Sequence, residues 1–304
     1  MEYILTTNNL TKIYGEKRAA DNVNLHIKKG EVYGLIGRNG AGKTTILKII
    51  AGLSHATSGD FCFCGKSGKE VSSVMIKIGS LIESPGLFPK MTAFQNVKLK
   101  CLSLGIKGDE CIKELLKKVG LSDTGNKPAQ SFSLGMKQRL GIAIALVGNP
   151  EFIILDEPIN GLDPQGIAEM RDVIHSLSKD MGMTVIVSSH ILDELSKIAD
   201  SFGIINNGKL IDEFTREQLA ERCRQYIYLK VDKTDKAEKV LKQMNIEQYN
   251  VVSDSEIKII SEIEDTSVLV GALIDKKVKV YEIAKKQGTL EEYYLNCTGG
   301  GKND

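Results

Sequence analysis

The sequence predicts an α/β fold with a small α+β domain behind it, and three observations carry that prediction. A glycine-rich loop, Gly37-Arg38-Asn39-Gly40-Ala41-Gly42-Lys43-Thr44-Thr45, stands between a short apolar run and a helical pattern. A second apolar run, 152–155, ends on the acid pair Asp156-Glu157. After about residue 215 the pattern becomes strand, helix, two strands, helix, strand. At 304 residues the chain is long enough for two domains, and its composition is that of an ordinary globular protein.

The elements follow in order. Residues 3–10 and 23–27 read as antiparallel strands, with Tyr14 between them as an aromatic able to stack on a purine. Residues 32–36 read as a buried strand leading into the G-x-x-x-x-G-K-T loop, and Ile46, Leu47, Ile49 and Ile50 recur at helical spacing behind it. Gly37, Gly40 and Gly42 let the backbone at Asn39 and Ala41 curl so that successive N–H groups point at one phosphate chain. The helix that opens near Thr45 aims its positive end at the same place. Lys43 reaches the β- and γ-phosphates as a point charge, and Thr44 offers a hydroxyl to Mg²⁺.

Residues 85–150 read as an all-helical insert. Pro85-Gly86 and Pro89 mark a loop, and helical patterns follow over 92–104, 109–119 and 133–147. The α/β core resumes at 152–158, a buried parallel strand with carboxylates at its C-terminal edge. Asp163 before Pro164 is a cap-then-proline helix start. A strand over 184–188 ends at Ser189-His190, a helix covers 191–199, and Asn207-Gly208 is a hairpin turn.

The C-terminal pattern is strand 226–231, helix 234–244, strands 248–253 and 256–260, helix 266–275 and strand 278–284. That order predicts a ferredoxin-like sandwich. Thr289 with Glu292 three residues on is a capping box. The Gly299-Gly300-Gly301 tail is expected to be disordered. The domain boundary is set at 214/215.

Composition narrows the function classes. Net charge is +1, and the C-terminal region is close to charge balance, so no basic nucleic-acid footprint is evident. The start has no basic stretch followed by an apolar one, so no secretory signal is expected. The longest apolar runs fall far below the roughly 18 residues of a membrane span. The protein is expected to be cytoplasmic, sitting against a membrane without crossing it. Of the six cysteines only Cys62 and Cys64 are close, and nothing completes a zinc pattern. They are expected to be reduced thiols.

Three further sets of residues have mechanical tasks. Asp156 can hold Mg²⁺, and Glu157 can polarise the water that attacks the γ-phosphate. One carboxylate cannot easily serve both, so a pair is needed. His190 is placed to bond the γ-phosphate or that water. Ser133-Leu134-Gly135 at a helix start makes a second anion site from a hydroxyl, a glycine N–H and a helix N-terminus.

In this order the sets closely resemble the ATP-binding cassette (ABC) family over residues 1–214. The resemblance implies an ABC-type P-loop NTPase core in which Tyr14 stacks on adenine and residues 37–45 form the Walker A loop. It implies that Phe132-Ser133-Leu134-Gly135-Met136 is the signature, Asp156-Glu157 the Walker B acids with Glu157 catalytic, Asn160-Gly161-Leu162-Asp163 the D-loop, and His190 the switch histidine. ATP and Mg²⁺ are the implied cofactors. The family works as a head-to-tail dimer, each ATP clamped between one copy's Walker A and the other's signature, so a homodimer is expected.

Two positions depart from the family pattern. Glu83 stands where Gln is usual, losing two donors and gaining a charge; it is a candidate for Mg²⁺ or for the water. Leu134 replaces the signature's first glycine. The stretch 82–89, the signature and the end 290–295 resemble the bacitracin-resistance and lantibiotic-immunity transporter ATPases. That resemblance implies a motor for separate permeases, with the insert near 85–105 receiving them and an antimicrobial peptide as cargo. The alternative is a soluble ATPase on ribosomes or nucleic acid. The gap between loop and signature lacks the sustained heptads of such machines, and one chain carries one cassette.

Overall fold

The computed structural model describes residues 3–261, 263 and 265–299. The chain divides into two compact units, 1–216 and 217–304.

The first unit begins with strands β1 (Tyr3–Tyr14), β2 (Lys17–Val23), β3 (His26–Lys28) and β4 (Val32–Ile36), followed by helix α1 (Lys43–Ile50). Then come β5 (Ser58–Phe63), β6 (Lys66–Ser67) and β7 (Ile78–Leu81). The insert supplies α2 (Ala93–Ser103), α3 (Glu110–Lys118) and α4 (Leu134–Ala145). The core returns with β8 (Phe152–Asp156), α5 (Pro164–Lys179), β9 (Thr184–Ser189), α6 (Leu192–Ile198), β10 (Ser201–Asn206) and β11 (Lys209–Thr215).

Two sheets result. β1, β2, β3, β5 and β6 form an antiparallel sheet in which β1 pairs with β2, β3 and β5. Tyr14 therefore ends β1 rather than lying between strands, because β1 runs past Leu10 to keep pairing with β2 as far as Lys17. The second sheet has the order β11-β10-β4-β9-β8-β7, all parallel except β11. Its central strands β4, β8 and β9 are buried at every residue, which their unbroken apolar runs require. Phe63 and Phe152 meet edge to face at 5.7 Å and lock the sheets together.

The insert is held by local hydrogen bonds. Thr92 and Gln95 close a capping box at the start of α2. Asn96, buried, accepts from Phe88 N and donates to the carbonyls of Phe88, Met91 and Thr92, fixing the loop before the helix.

The second unit contains most of α7 (Arg216–Arg222), then β12 (Gln225–Val231), α8 (Thr234–Gln243), β13 (Tyr249–Ser253), β14 (Glu256–Ile259), α9 (Thr266–Asp275), β15 (Val280–Gln287) and α10 (Leu290–Thr298). Its sheet is antiparallel, in the order β13-β14-β12-β15. β12 alternates, sending Ile227, Leu229 and Val231 into a core shared with Ala237, Val240 and Leu241 of α8 and Leu269 and Leu273 of α9. β15 starts two residues later than the sequence suggests, since Val278 N–H is taken by Leu273 O at the end of α9. Of the glycine tail, Gly299 ends α10 in a left-handed turn; the residues after it lie outside those described.

Candidate nucleotide site

Four parallel strands deliver the site. Register sets Ile36 beside Ser189, Asp156 beside Ser188, and Leu81 beside Leu155. Gly37, His190, Glu157 and Glu83 thus leave one edge of the sheet, where open α/β sheets bind ligands.

The loop rises from β4. A Cβ at Gly37 would stand 2.6 Å from the Ile205 carbonyl oxygen. Gly42 has φ +112°, and a side chain there would meet the Ala19 carbonyl. Both positions exclude every residue but glycine. No side chain caps α1 and no acid sits in its first turn, so its free N–H groups remain for a ligand. Asn39, Gly40, Gly42, Lys43, Thr44 and Thr45 line a cleft of about 290 Å³ with Tyr14 and Glu157. Gly37 and the buried Ala41 form the inner side of the loop. Tyr14 is half exposed, with Lys12 Nζ 5.0 Å from its ring centre.

Lys43 is buried. Its Nζ donates to Gly37 O at 2.6 Å and Arg38 O at 3.3 Å, and lies 3.0 Å from Glu157 Oε1. That ion pair lacks hydrogen-bond geometry, so Glu157 Oε1 has no hydrogen-bond partner among the described residues. Glu157 Oε2 is 2.8 Å from His190 Nδ1. The Asp156 carboxylate accepts from Thr44 Oγ1 at 2.7 Å and from Ser188 Oγ at 2.5 Å.

Neighbouring strand residues normally face opposite ways. Here Asp156 reaches Thr44 and Glu157 reaches the cleft, because Glu157 has φ +51°. Its N–H donates to Ser188 O at 3.2 Å and to Ser188 Oγ at 3.0 Å, which holds the bend. A non-glycine residue in that region is strained, and here the strain turns the second carboxylate toward the loop. Ser188 thus orients both acids. Sequence reasoning gave it no role; the signal was a pair of hydroxyls, Ser188-Ser189, directly before His190.

The Thr44 hydroxyl and Asp156 carboxylate are hard oxygen donors. They fit Mg²⁺ when phosphate oxygens and water complete its shell. Among the described residues no three His, Cys, Asp or Glu side chains form a self-contained metal cage. Glu83 stands outside the cleft lining. It has φ +63°, is mostly exposed, and is paired with Lys48 Nζ at 2.6 Å. That hydrogen bond raises the Lys48 pKa.

Ser133, Gly135 and Asp163 do not line the cleft. Ser133 caps α4, accepting from Met136 N at 3.3 Å, and Asp163 caps α5, accepting from Gly166 N at 3.0 Å. The two helix starts touch: Leu162 lies 3.7 Å from where a Gly135 Cβ would stand. Leu134 is half exposed beside them. The chain therefore presents the phosphate cradle and the serine-tipped helix as separate surfaces. A larger groove, about 690 Å³, lies in the second unit near Arg224, Gln248 and Lys285, but it has neither a glycine-rich loop nor a carboxylate pair.

Residues 20–160 match the family model for ABC transporters. The chain is 40% identical to the bacitracin transport ATP-binding protein BcrA of Bacillus licheniformis, over 99% of both chains. It belongs to the ABC transporter ATP-binding proteins, and it is an ATPase whose hydrolysis is coupled to transport. It is also 49% identical to the lantibiotic transport ATP-binding protein SrtF of Streptococcus pyogenes, over 69% of this chain and 90% of that one. Among solved structures, CbiO1 of Clostridium perfringens, part of the transporter complex CbiONQ, superposes with a TM-score of 0.66 at 27% identity, covering 81% of this chain and 97% of that one. A cassette solved as a dimer in a post-hydrolysis state with ADP and Pi gives 0.63 at 29% identity, covering 70% and 98%.

Proposed function

We propose that two copies of this chain close head-to-tail around two Mg-ATP and drive separate membrane permeases that remove an antimicrobial peptide of the bacitracin or lantibiotic type. One observation carries the motor reading. The cradle, Thr44 and Glu157 line one cleft, with Asp156 bonded to Thr44 and His190 next to Glu157, while Ser133 is not among the cleft's lining residues. Each site is then complete only when a second copy supplies its Ser133 and Gly135, with Asp163 beside them.

Lys43, now held by backbone carbonyls and Glu157, moves onto the β- and γ-phosphates. Its departure releases Glu157 Oε1 for the attacking water, with His190 orienting that carboxylate. Thr44 and Asp156 hold Mg²⁺, which neutralises charge on the phosphates. Tyr14 stacks on the adenine. Glu83, outside the cleft lining, is the candidate for metal or water once Lys48 releases it.

Among the described residues no helix is long and apolar enough to cross a membrane. Attachment to the inner face of the cell membrane would come through the permeases. Exposed Phe88 and Leu102 on the insert give a permease an apolar foothold. The β-α-β-β-α-β order with strands arranged β13-β14-β12-β15 supports a ferredoxin-like reading of the second unit. The relatives' names support the cargo class.

The test is tolerance. Co-expressed with its permease in a sensitive cell, the chain should raise tolerance to bacitracin or a lantibiotic, and Glu157→Gln should abolish the gain. Unchanged tolerance to both would remove the cargo from the proposal.

A further inference from the structure

The C-terminal sheet ends on β15, whose outer side pairs with no strand among the described residues. Every residue of β15 is exposed or half-buried. Open edges invite pairing with another chain. On the helix side Ile274 and Tyr281, 59% and 64% exposed, flank an open groove of about 610 Å³. The opposite edge, β13, is shorter and carries no charge; each edge strand has one irregularity, between Val251 and Ser253 in β13 and between Val280 and Glu282 in β15.

The charges of β15 select what fits it. Glu282, Ala284 and Lys286 share the face away from the helices; Ile283 and Lys285 share the other. Suppose a second β15 pairs antiparallel about a two-fold axis normal to the sheet. Opposed residues share a face, so one residue must then face its own copy. Centring on Glu282 opposes like carboxylates, and centring on Lys285 or Lys286 opposes like ammonium groups. Centring on Ile283 opposes no complementary charges. Centring on Ala284 sets Glu282 against Lys286 of the other copy, twice by symmetry, with only a methyl group at the axis. Within one chain these two side chains are 3.8 Å apart, at the long limit of an ion pair. Edge lysines ordinarily discourage pairing; in this one register Lys286 meets an acid.

We propose that the C-terminal unit is a dimerisation module in which β15 pairs with β15 of a second copy, antiparallel and centred on Ala284. This joins two four-stranded sheets into one and covers Tyr281 and the groove beside it. It extends the reading of the cassettes as a two-fold dimer. Cassettes gathered by ATP raise the local concentration of the C-terminal units, so a short edge contact suffices.

The test is cross-linking of the full chain. Directly opposed residues in an antiparallel pair have Cα atoms about 4.5–5.5 Å apart, inside the roughly 4.4–6.8 Å span of a disulfide. Ala284→Cys should give a covalent dimer under a copper–phenanthroline oxidant, at several times the yield of the parent chain with its own cysteines or of Val252→Cys on the other edge. Adding Glu282→Lys or Lys286→Glu singly should cut that yield several-fold, and combining them should restore it, because the exchange rebuilds the opposite-charge pair. No dimer with Ala284→Cys, a dimer through Val252→Cys instead, or no restoration in the double exchange overturns the proposal. Size measurement of Glu157→Gln with ATP reads the cassette dimer separately. A cassette dimer without the Ala284→Cys link sinks the edge pairing alone, and the link without a cassette dimer sinks the motor reading alone.

Discussion

Among the described residues of the C-terminal unit, the non-glycine ones with left-handed backbone are Asn245 and Lys277, each just past the end of a helix, where chains commonly turn. In the cassette two such residues, Glu83 and Glu157, instead follow parallel strands and carry carboxylates. The first pair terminates helices, at a backbone cost per residue of the same order as the second. The second pair costs on the order of 1–3 kcal/mol each, and for Glu157 the return is an acid aimed into the phosphate cleft. What a left-handed residue does, rather than its presence, thus separates the strand ends that place carboxylates from the turns, such as those at Asn149, Asn207, Asn245 and Lys277, that only redirect the chain.

The sharpest way to break that contrast is at Glu157. Glu157→Gln keeps the bend, since the Ser188 bonds go to the backbone N–H. It removes only the carboxylate that is proposed as the base. A general base contributes roughly 10²–10⁴ in rate, so turnover should fall at least about a hundredfold while ATP still binds and closed dimers accumulate. Normal hydrolysis by this variant would mean the strained carboxylate has another purpose.

Lys43→Ala comes next. Truncating one partner of a buried charge pair costs about 2–5 kcal/mol, so ATP affinity should weaken about thirtyfold or more by equilibrium titration. Near-normal affinity would contradict the phosphate contact. The matching change in the C-terminal unit is Leu229→Ala, at a fully buried position. Large-to-small core changes of this kind cost about 2–5 kcal/mol. The second unit should melt earlier by calorimetry while nucleotide binding by the cassette is unmoved; a joint loss of both would show that the units are not energetically separate.

How much of this was legible follows from which physics each feature uses. The phosphate loop is local: glycine spacing and flanking periodicity specify it. The unbroken apolar runs of β8 and β9 announce buried parallel strands, and the C-terminal alternation announces a sheet with one covered face. α7 was missed because its seven residues are mostly polar or charged, with only Leu219 buried. The role of Ser188 was missed because it depends on two strands lying in register, Asp156 against Ser188, which no local pattern encodes. The bend at Glu157 depends on the same register. The Lys48 partner of Glu83 is likewise a contact between separate elements, α1 and the end of β7.

Glu83→Gln should have the smallest effect and sharpens the contrast most finely, because it tests whether a bend alone marks function. The Lys48 pair it removes is largely exposed and contributes at most about 1 kcal/mol to stability. The φ of +63° is a backbone property that Gln accepts as readily as Glu. Folding and ATP affinity should therefore change little. Turnover should shift, or permease coupling should, if the carboxylate reaches Mg²⁺ or the attacking water in the closed dimer. Titrating the ATPase against Mg²⁺ separates those two: a metal-facing Glu83 moves the half-saturating Mg²⁺ concentration, whereas a water-facing one changes the plateau rate alone. Identical curves for both chains would make the bend at Glu83 a structural turn like those at Asn245 and Lys277, leaving Glu157 as the site where strain and chemistry coincide.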